Sequence, residues 1–315
     1  MTVVIYEYYR SHCEPEQRKY RIKHEHYLSC GRNSMMKKKI RCLGFILLIL
    51  LLIASIAQNI WYYSSPYFRA ESYLQSTDEI YTMESGILYN NLELKAEEDI
   101  EIKYDFDNAE YSELLEKYNI EKTAGEGSEF ERAARLMNEY APRLRHKSNY
   151  DNHIDMNALA LLEYSLDNSA QGINCRNKAQ ILNEMCLALG IYSRKVWIIP
   201  YSGYDTDCHV VNEVWDSTLN KWVMLDITNN EYWVDENGTP LSVMEIREKG
   251  AMQEFCTPVY YGENMDDLQA LKQKHMNEFL YTMKNMVYIK CCKVQTVGET
   301  ESASALCESF SAAPF

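Results

Sequence analysis

The chain has 315 residues, of which 46% are hydrophobic and 25% charged, with only 12 Gly and 7 Pro. That excludes a collagen-like, low-complexity or fully disordered protein and leaves room for one large domain or two smaller ones. The formal net charge of −14 is unevenly placed: residues 1–42 carry 10 Lys/Arg against 4 Asp/Glu, and residues 43–315 carry 22 against 42. An acidic body excludes general nucleic-acid binding, which needs a cationic surface to neutralise phosphates.

Residues 1–42 are basic and aromatic without helical or strand periodicity, and read as a cytoplasmic segment. Leu43 to Ala57 is an unbroken apolar run, and residues 43–63 form an uncharged stretch of 21. About 20 apolar residues span a hydrocarbon core. Lys37, Lys38, Lys39 and Arg41 precede the run, and no Lys or Arg follows until Arg69. The positive-inside rule therefore puts the N-terminus in the cytoplasm and the acidic body outside, with Trp61, Tyr62 and Tyr63 at the far interface. The reading is a single-pass anchor in the cell membrane. The alternative is a signal peptide cleaved near Ala57, because Ser55-Ile56-Ala57 supplies small residues; the body is exported either way.

Residues 64–127 read as an N-terminal extension: a possible helix, a strand-like stretch over 87–104, and a short helix over 111–118. Gly125 and Gly127 mark a break. Residues 128–290 read as the main domain. Ser128-Glu129-Phe130-Glu131 is a capping box, opening a helix whose apolar positions (Phe130, Ala133, Ala134, Met137, Tyr140, Ala141, Leu144) follow 3,4 spacing. Another helix fits 156–166. Asn174 caps a third, with a stripe through Ala179, Leu182, Met185, Cys186 and Leu189 and a stop at Gly190. Strands follow at 195–200, 209–215, 221–228 and 232–234. Ser242-Val243-Met244-Glu245 is a second capping box, for a helix ended by Gly250. A further helix covers 265–289, and 291–315 reads as a poorly ordered tail. Helices first and strands after give an α+β class with an antiparallel sheet.

Three residues carry candidate chemistry: Cys175, His209 and Asp226. Cys175 falls in the first turn of the helix capped by Asn174, where the dipole and free N–H groups favour an anionic sulfur, the attacking species in acyl transfer. If the 209–228 hairpin turns through Asp216–Leu219, with Trp215 facing Asn220, His209 lies directly opposite Asp226. Their Cβ atoms are then about 4.5–5.5 Å apart, the spacing at which a carboxylate orients an imidazole. The distance from the helix start to the ribbon does not follow from spacing.

At this point the chain resembles the transglutaminase-like superfamily of papain-fold enzymes. The resemblance is carried by Gly172-Ile173-Asn174-Cys175-Arg176, by Leu187-Ala188-Leu189-Gly190-Ile191 with Arg194 beyond, by His209-Val210-Val211-Asn212-Glu213-Val214-Trp215, and by Trp222-Val223-Met224-Leu225-Asp226-Ile227-Thr228. Gly172 stands three before the Cys, Tyr192 follows Ile191, and Ile227 replaces a common Pro. The resemblance implies a papain-like fold and mechanism. Cys175 attacks an amide carbonyl to form a thioester, His209 moves the proton, Asp226 orients His209, and the Cys175 amide plus Gln171 or Asn174 binds the oxyanion. Glu213 shares the His209 face and is a candidate for substrate contact or for pairing with Arg194. A peptide or protein at the cell surface is the implied partner, and no cofactor is implied.

Taken singly, each residue has a plainer reading: a buried structural Cys, a core His, a turn-capping Asp. Their order and the hairpin argument favour the joint one. A metal held by Cys175, Cys208, His209 and Asp226 is disfavoured, since adjacent strand residues point to opposite faces. Residues 43–315 contain seven Cys at irregular spacing, and only a Cys208–Cys256 bridge stays open. The enzyme reading competes with a catalytically silent binding module of the same fold at the cell surface.

Overall fold

A computed structural model describes residues 38–61, 77–92, 101–168, 170–254, 256–304 and 308–315. It falls into two units, residues 1–64 and 65–315. In the first, the apolar run forms α1 (Lys38–Trp61), a 24-residue helix long and apolar enough to cross a membrane. Its Leu, Ile and Phe side chains are exposed along its length, as expected of a helix apolar all round. Most of the basic segment 1–42, the interfacial Tyr62 and Tyr63, and residues 64–76 ahead of the next helix lie outside the described residues.

The second unit begins with α2 (Thr77–Tyr89), β1 (Lys103–Tyr104), α3 (Glu110–Tyr118), α4 (Ile120–Ala124), α5 (Glu129–Tyr140), α6 (Ala158–Asp167) and α7 (Cys175–Ala188). It continues through β2 (Ser193–Ile199), β3 (His209–Asp216), β4 (Lys221–Asp226), β5 (Glu231–Val234), α8 (Val243–Ala251), β6 (Thr257–Tyr260), α9 (Leu268–Lys274), α10 (Met276–Asn285), β7 (Tyr288–Cys292), β8 (Val294–Gln295) and β9 (Ser302–Ser304). The class is α+β. Seven strands form one sheet in the order β6-β5-β4-β3-β2-β7-β9, each pair antiparallel.

Helices cover both faces of the sheet. Val214, Val223 and Leu225 join one core cluster with Ile181, Leu182 and Met185 of α7 and with α3 to α6. Val211, Met224, Val196 and Ile198 join the other, with Ile246 of α8 and Phe279 and Met283 of α10. The central strands are therefore buried on both sides, and β3 shows no polar alternation. Both capping boxes form: Ser128 with Glu131 opens α5, and Ser242 with Glu245 opens α8.

Several expectations need correction. The stretch over 87–104 is not one strand: α2 runs to Tyr89, and among the described residues only Lys103 and Tyr104 pair. Leu114, Ile120 and Ala124 belong to the same core cluster as α5 and α7, so the core begins before residue 128. The helix over 265–289 is two, with His275 between them, and Tyr288 begins a strand. Gly250 does not end α8. It lies inside the helix, where a Cβ would meet the Met283 sulfur at 2.3 Å, so its missing side chain serves close packing. Residues 291–315 are not simply a tail, since β7 and β9 extend the sheet and Phe310 is buried. Composition misled there because the segment's apolar residues are few, yet Cys291, Cys292 and Phe310 are buried.

The hairpin register also differs. Trp215 pairs with Trp222 and Asp216 with Lys221, so the turn is Ser217–Asn220. Asp216 stays in the strand because its carboxylate accepts from the Leu219 and Phe130 amides. Asn220, at φ 53°, takes the left-handed conformation of a turn. The shift amounts to two positions, which preserves side-chain parity. His209 and Asp226 therefore share a face as diagonal rather than direct neighbours.

Candidate active site

Asn174 fixes where α7 begins. Its side chain accepts from the Asn177 amide and the Asn177 side chain accepts from the Asn174 amide, closing a reciprocal cap. Cys175 is thus the first helical residue, and it is half-buried with a free thiol. The strand leading into it runs beside residues 145–147, with Ile173 donating to the Arg145 carbonyl and accepting from Lys147. Gly172 is needed for that approach, because a Cβ would come within 2.9 Å of the Lys147 Cβ and 3.1 Å of the Arg145 carbonyl.

His209 opens β3 and Asp226 closes β4, so both stand at one end of the ribbon. The His209 Nε2 to Asp226 Oδ2 distance is 2.7 Å, and both residues are buried. Asp226 is held on every side: Oδ1 accepts from the Thr228 and Asn229 amides, and Oδ2 also accepts from the Asn229 side chain. Asp226 engages Nε2 and leaves the other ring nitrogen of His209, Nδ1, clear of it, and Cys175 is among the groups that raise the ring's pKa. The side of the triangle that spacing could not supply comes from packing. Asn212 of β3 donates to the Ala179 carbonyl of α7, 2.9 Å, pinning the helix to the strand.

The electrostatics follow from this packing. Burial pushes the His209 pKa down, but the Asp226 charge and hydrogen bond, with Cys175, outweigh it and hold it well above the ordinary value. Burial pushes Asp226 up, yet the His209 charge and the donated hydrogen bonds leave it below the ordinary carboxylate value. A carboxylate and an imidazolium side by side can stabilise an anion on the sulfur and then deliver a proton.

Of the remaining sequence candidates, Glu213 is not at the site. Both its oxygens are used, one by Arg194 at 2.6 Å and the other by the Val243 amide at 2.7 Å, and the residue is fully buried. Shared parity along β3 does not mean a shared end of the strand. Asn174 is spent on its cap and on Asn152, which accepts from its amide group. Gln171 is different: its side-chain oxygen is buried without a partner. Cys208 is exposed and Cys256 buried, both as free thiols, so no bridge joins them.

The structure adds residues that sequence reasoning missed. A cavity of about 420 Å³ reaches His209 and is lined by His146, Thr228, Asn229, Asn277, Glu278 and Tyr281. Tyr281 stands edge-on to the His209 ring at 5.8 Å and donates to Asp207. Glu231 pairs with Asp226 across the sheet, buried, with neither oxygen bonded. Lys178, one turn after Cys175, is 2% exposed. Asn229 had a signal, the turn that a strand-ending Asp commonly forms with the amides after it. Lys178 had one too, its i+3 spacing from Cys175. His146 and Tyr281 had none. A larger cavity, about 710 Å³, lined by Lys117, Lys122, Arg135 and Arg143 among others, contains none of the three reactive residues.

Residues 116–227 match the family model of the Transglutaminase-like superfamily, just over a third of the chain, and the match takes in Cys175, His209 and Asp226. No curated protein and no solved structure matches the chain.

Proposed function

Residues 116–227 are a domain of the transglutaminase-like superfamily, and from that premise we propose that the protein is a cysteine acyl-transfer enzyme acting on amide bonds of peptides or proteins, anchored by α1 with its acidic body outside the membrane. One observation carries the reading: a buried His209–Asp226 pair at 2.7 Å, with a half-buried free cysteine at a helix start among the groups that raise the pKa of the imidazole.

The chemistry proceeds as follows. The thiol proton of Cys175 passes to His209, and the sulfur attacks the amide carbon. The carbonyl oxygen becomes an oxyanion, bound by the Cys175 backbone N–H and by the side-chain NH2 of Gln171 as donors. His209 gives the proton to the leaving nitrogen, the C–N bond breaks, and a thioester remains. Water or a second amine then attacks, His209 takes its proton, and the Cys175 sulfur leaves. Asp226 holds the ring and balances its charge throughout.

Iodoacetamide labelling near neutral pH tests this. Cys175 should react faster than the fully buried Cys186, and His209→Ala should slow it. Equal rates at the two cysteines, with no effect of His209→Ala, would leave a silent binding module. The anchor is tested by sequencing the N-terminus of protein isolated from membranes; a new terminus near Gln58 overturns it.

A further inference from the structure

Lys178 sits three residues after Cys175 on α7, so the two side chains share a helix face. Helical Cα–Cβ bonds tilt toward the N-terminus, so the Lys178 side chain leans back toward the turn that holds Cys175. Three features make it costly there. It is 2% exposed, and a buried ammonium is unfavourable unless paired. It makes no ion pair among the described residues, whereas its neighbours Arg176 and Lys195 both bond Glu299. It also places positive charge at the positive end of the helix dipole, where no acidic residue occupies the first turn. The amides of Cys175 and Arg176, at the first two helical positions, have no acceptor within the helix. An anion bound beside Lys178 would offset these costs.

We propose that Lys178 and the free Arg176 amide at the start of α7 form an anion subsite beside Cys175, which receives a carboxylate carried by the acyl donor next to the bond that is cleaved. The charges acting on Lys178 agree with that placement. Burial lowers its pKa, and the Asp226 and Cys175 charges oppose it. The carboxylate of a bound donor supplies the direct ion pair that Lys178 does not make among the described residues. The subsite rests on the reading of Cys175 as nucleophile, and it sets which donors that nucleophile meets.

Two reagents of similar size test it without turnover. Iodoacetate is anionic and iodoacetamide neutral, and both alkylate the same sulfur. Lys178→Met should lower the iodoacetate-to-iodoacetamide rate ratio at Cys175 roughly fivefold or more, the effect of removing one nearby charge. Lys178→Arg should keep the ratio within about twofold of wild type, since the charge remains. A ratio unchanged in Lys178→Met overturns the subsite even if Cys175 proves to be the nucleophile. Donor peptides that differ only as Glu or Gln beside the scissile amide give a second measurement, which the wild-type protein alone can answer. A lower KM for the Glu peptide, lost in Lys178→Met with kcat kept, supports the subsite. Equal KM values in wild type, or an equal kcat loss for both peptides in the variant, overturn it.

Discussion

Two buried clusters of charge stand at different places along the same ribbon, and they are built in opposite ways. Around Arg194 everything is satisfied. Its guanidinium meets Glu213 at 2.6 Å and the Phe310 carbonyl at 2.6 Å, and it is stacked between the Trp222 and Phe310 rings at 3.9 and 3.5 Å. Glu213 gives its second oxygen to the Val243 amide. At the other cluster only His209 and Asp226 are matched; among the described residues Glu231 has two unbonded oxygens and Lys178 makes no ion pair, and Cys175 is half-buried. Complete satisfaction ties β2, β3, α8 and the chain end together; incomplete satisfaction leaves groups that a substrate can complete.

The comparison can be broken most directly at Cys175. Cys175→Ala should reduce turnover of amide substrates to background while shifting Tm by no more than about 2 °C, since a half-exposed thiol contributes little packing; activity assay and calorimetry on one preparation check both halves. Next comes Asp226→Asn, expected to lower kcat by about 10³–10⁴-fold. With the carboxylate gone, only Cys175 opposes burial at His209, so its pKa should fall. NMR titration of the ring reads this, and an unchanged His209 pKa would break the account of the pair.

Glu213→Ala makes the opposite prediction. It leaves the Arg194 charge buried and unpaired, at a cost of about 3–5 kcal/mol, yet the alkylation rate of Cys175 per folded molecule should stay the same. Denaturant unfolding and labelling separate the two effects. A variant that kept its stability but lost Cys175 reactivity would erase the distinction between the clusters.

The smallest effect is expected at Glu231. Burial, then the Asp226 charge, pushes its carboxyl from 4.5 to about 8. Between those values the folded protein keeps a proton that the unfolded chain has released, so folding stability falls as pH rises through the window. Glu231→Gln removes that titration. Its Tm advantage over wild type should be near zero at pH 4.5 and grow to about 5 °C by pH 8. An advantage that does not vary with pH would mean that Glu231 does not titrate in this range.

Much of the site was readable along the chain, and the errors show where reading stops. Ser128, Asn174 and Ser242 announced helix starts because a cap is a bargain among residues three apart. The shared face of His209 and Asp226 survived a wrong turn assignment because parity repeats every two residues and the error was two. Of the two readings of Glu213, pairing with Arg194 held and substrate contact did not, because parity says nothing about position along a strand. The segment after residue 290 was misjudged because strands as short as Ser302–Ser304 leave no period to detect.

Sequence alone determined which side chains could do acyl chemistry, that Cys175 begins a helix, that His209 and Asp226 look the same way, and that residues 43–63 can span a membrane. These are properties of neighbours within one turn or one pleat, where geometry repeats. Tertiary structure decided that α7 docks on β3 through Asn212, that Arg194 finds Glu213 and Phe310, and that Lys178 makes no ion pair among the described residues. Such pairings join residues far apart in the chain, and no local spacing encodes whether a buried charge will meet its partner.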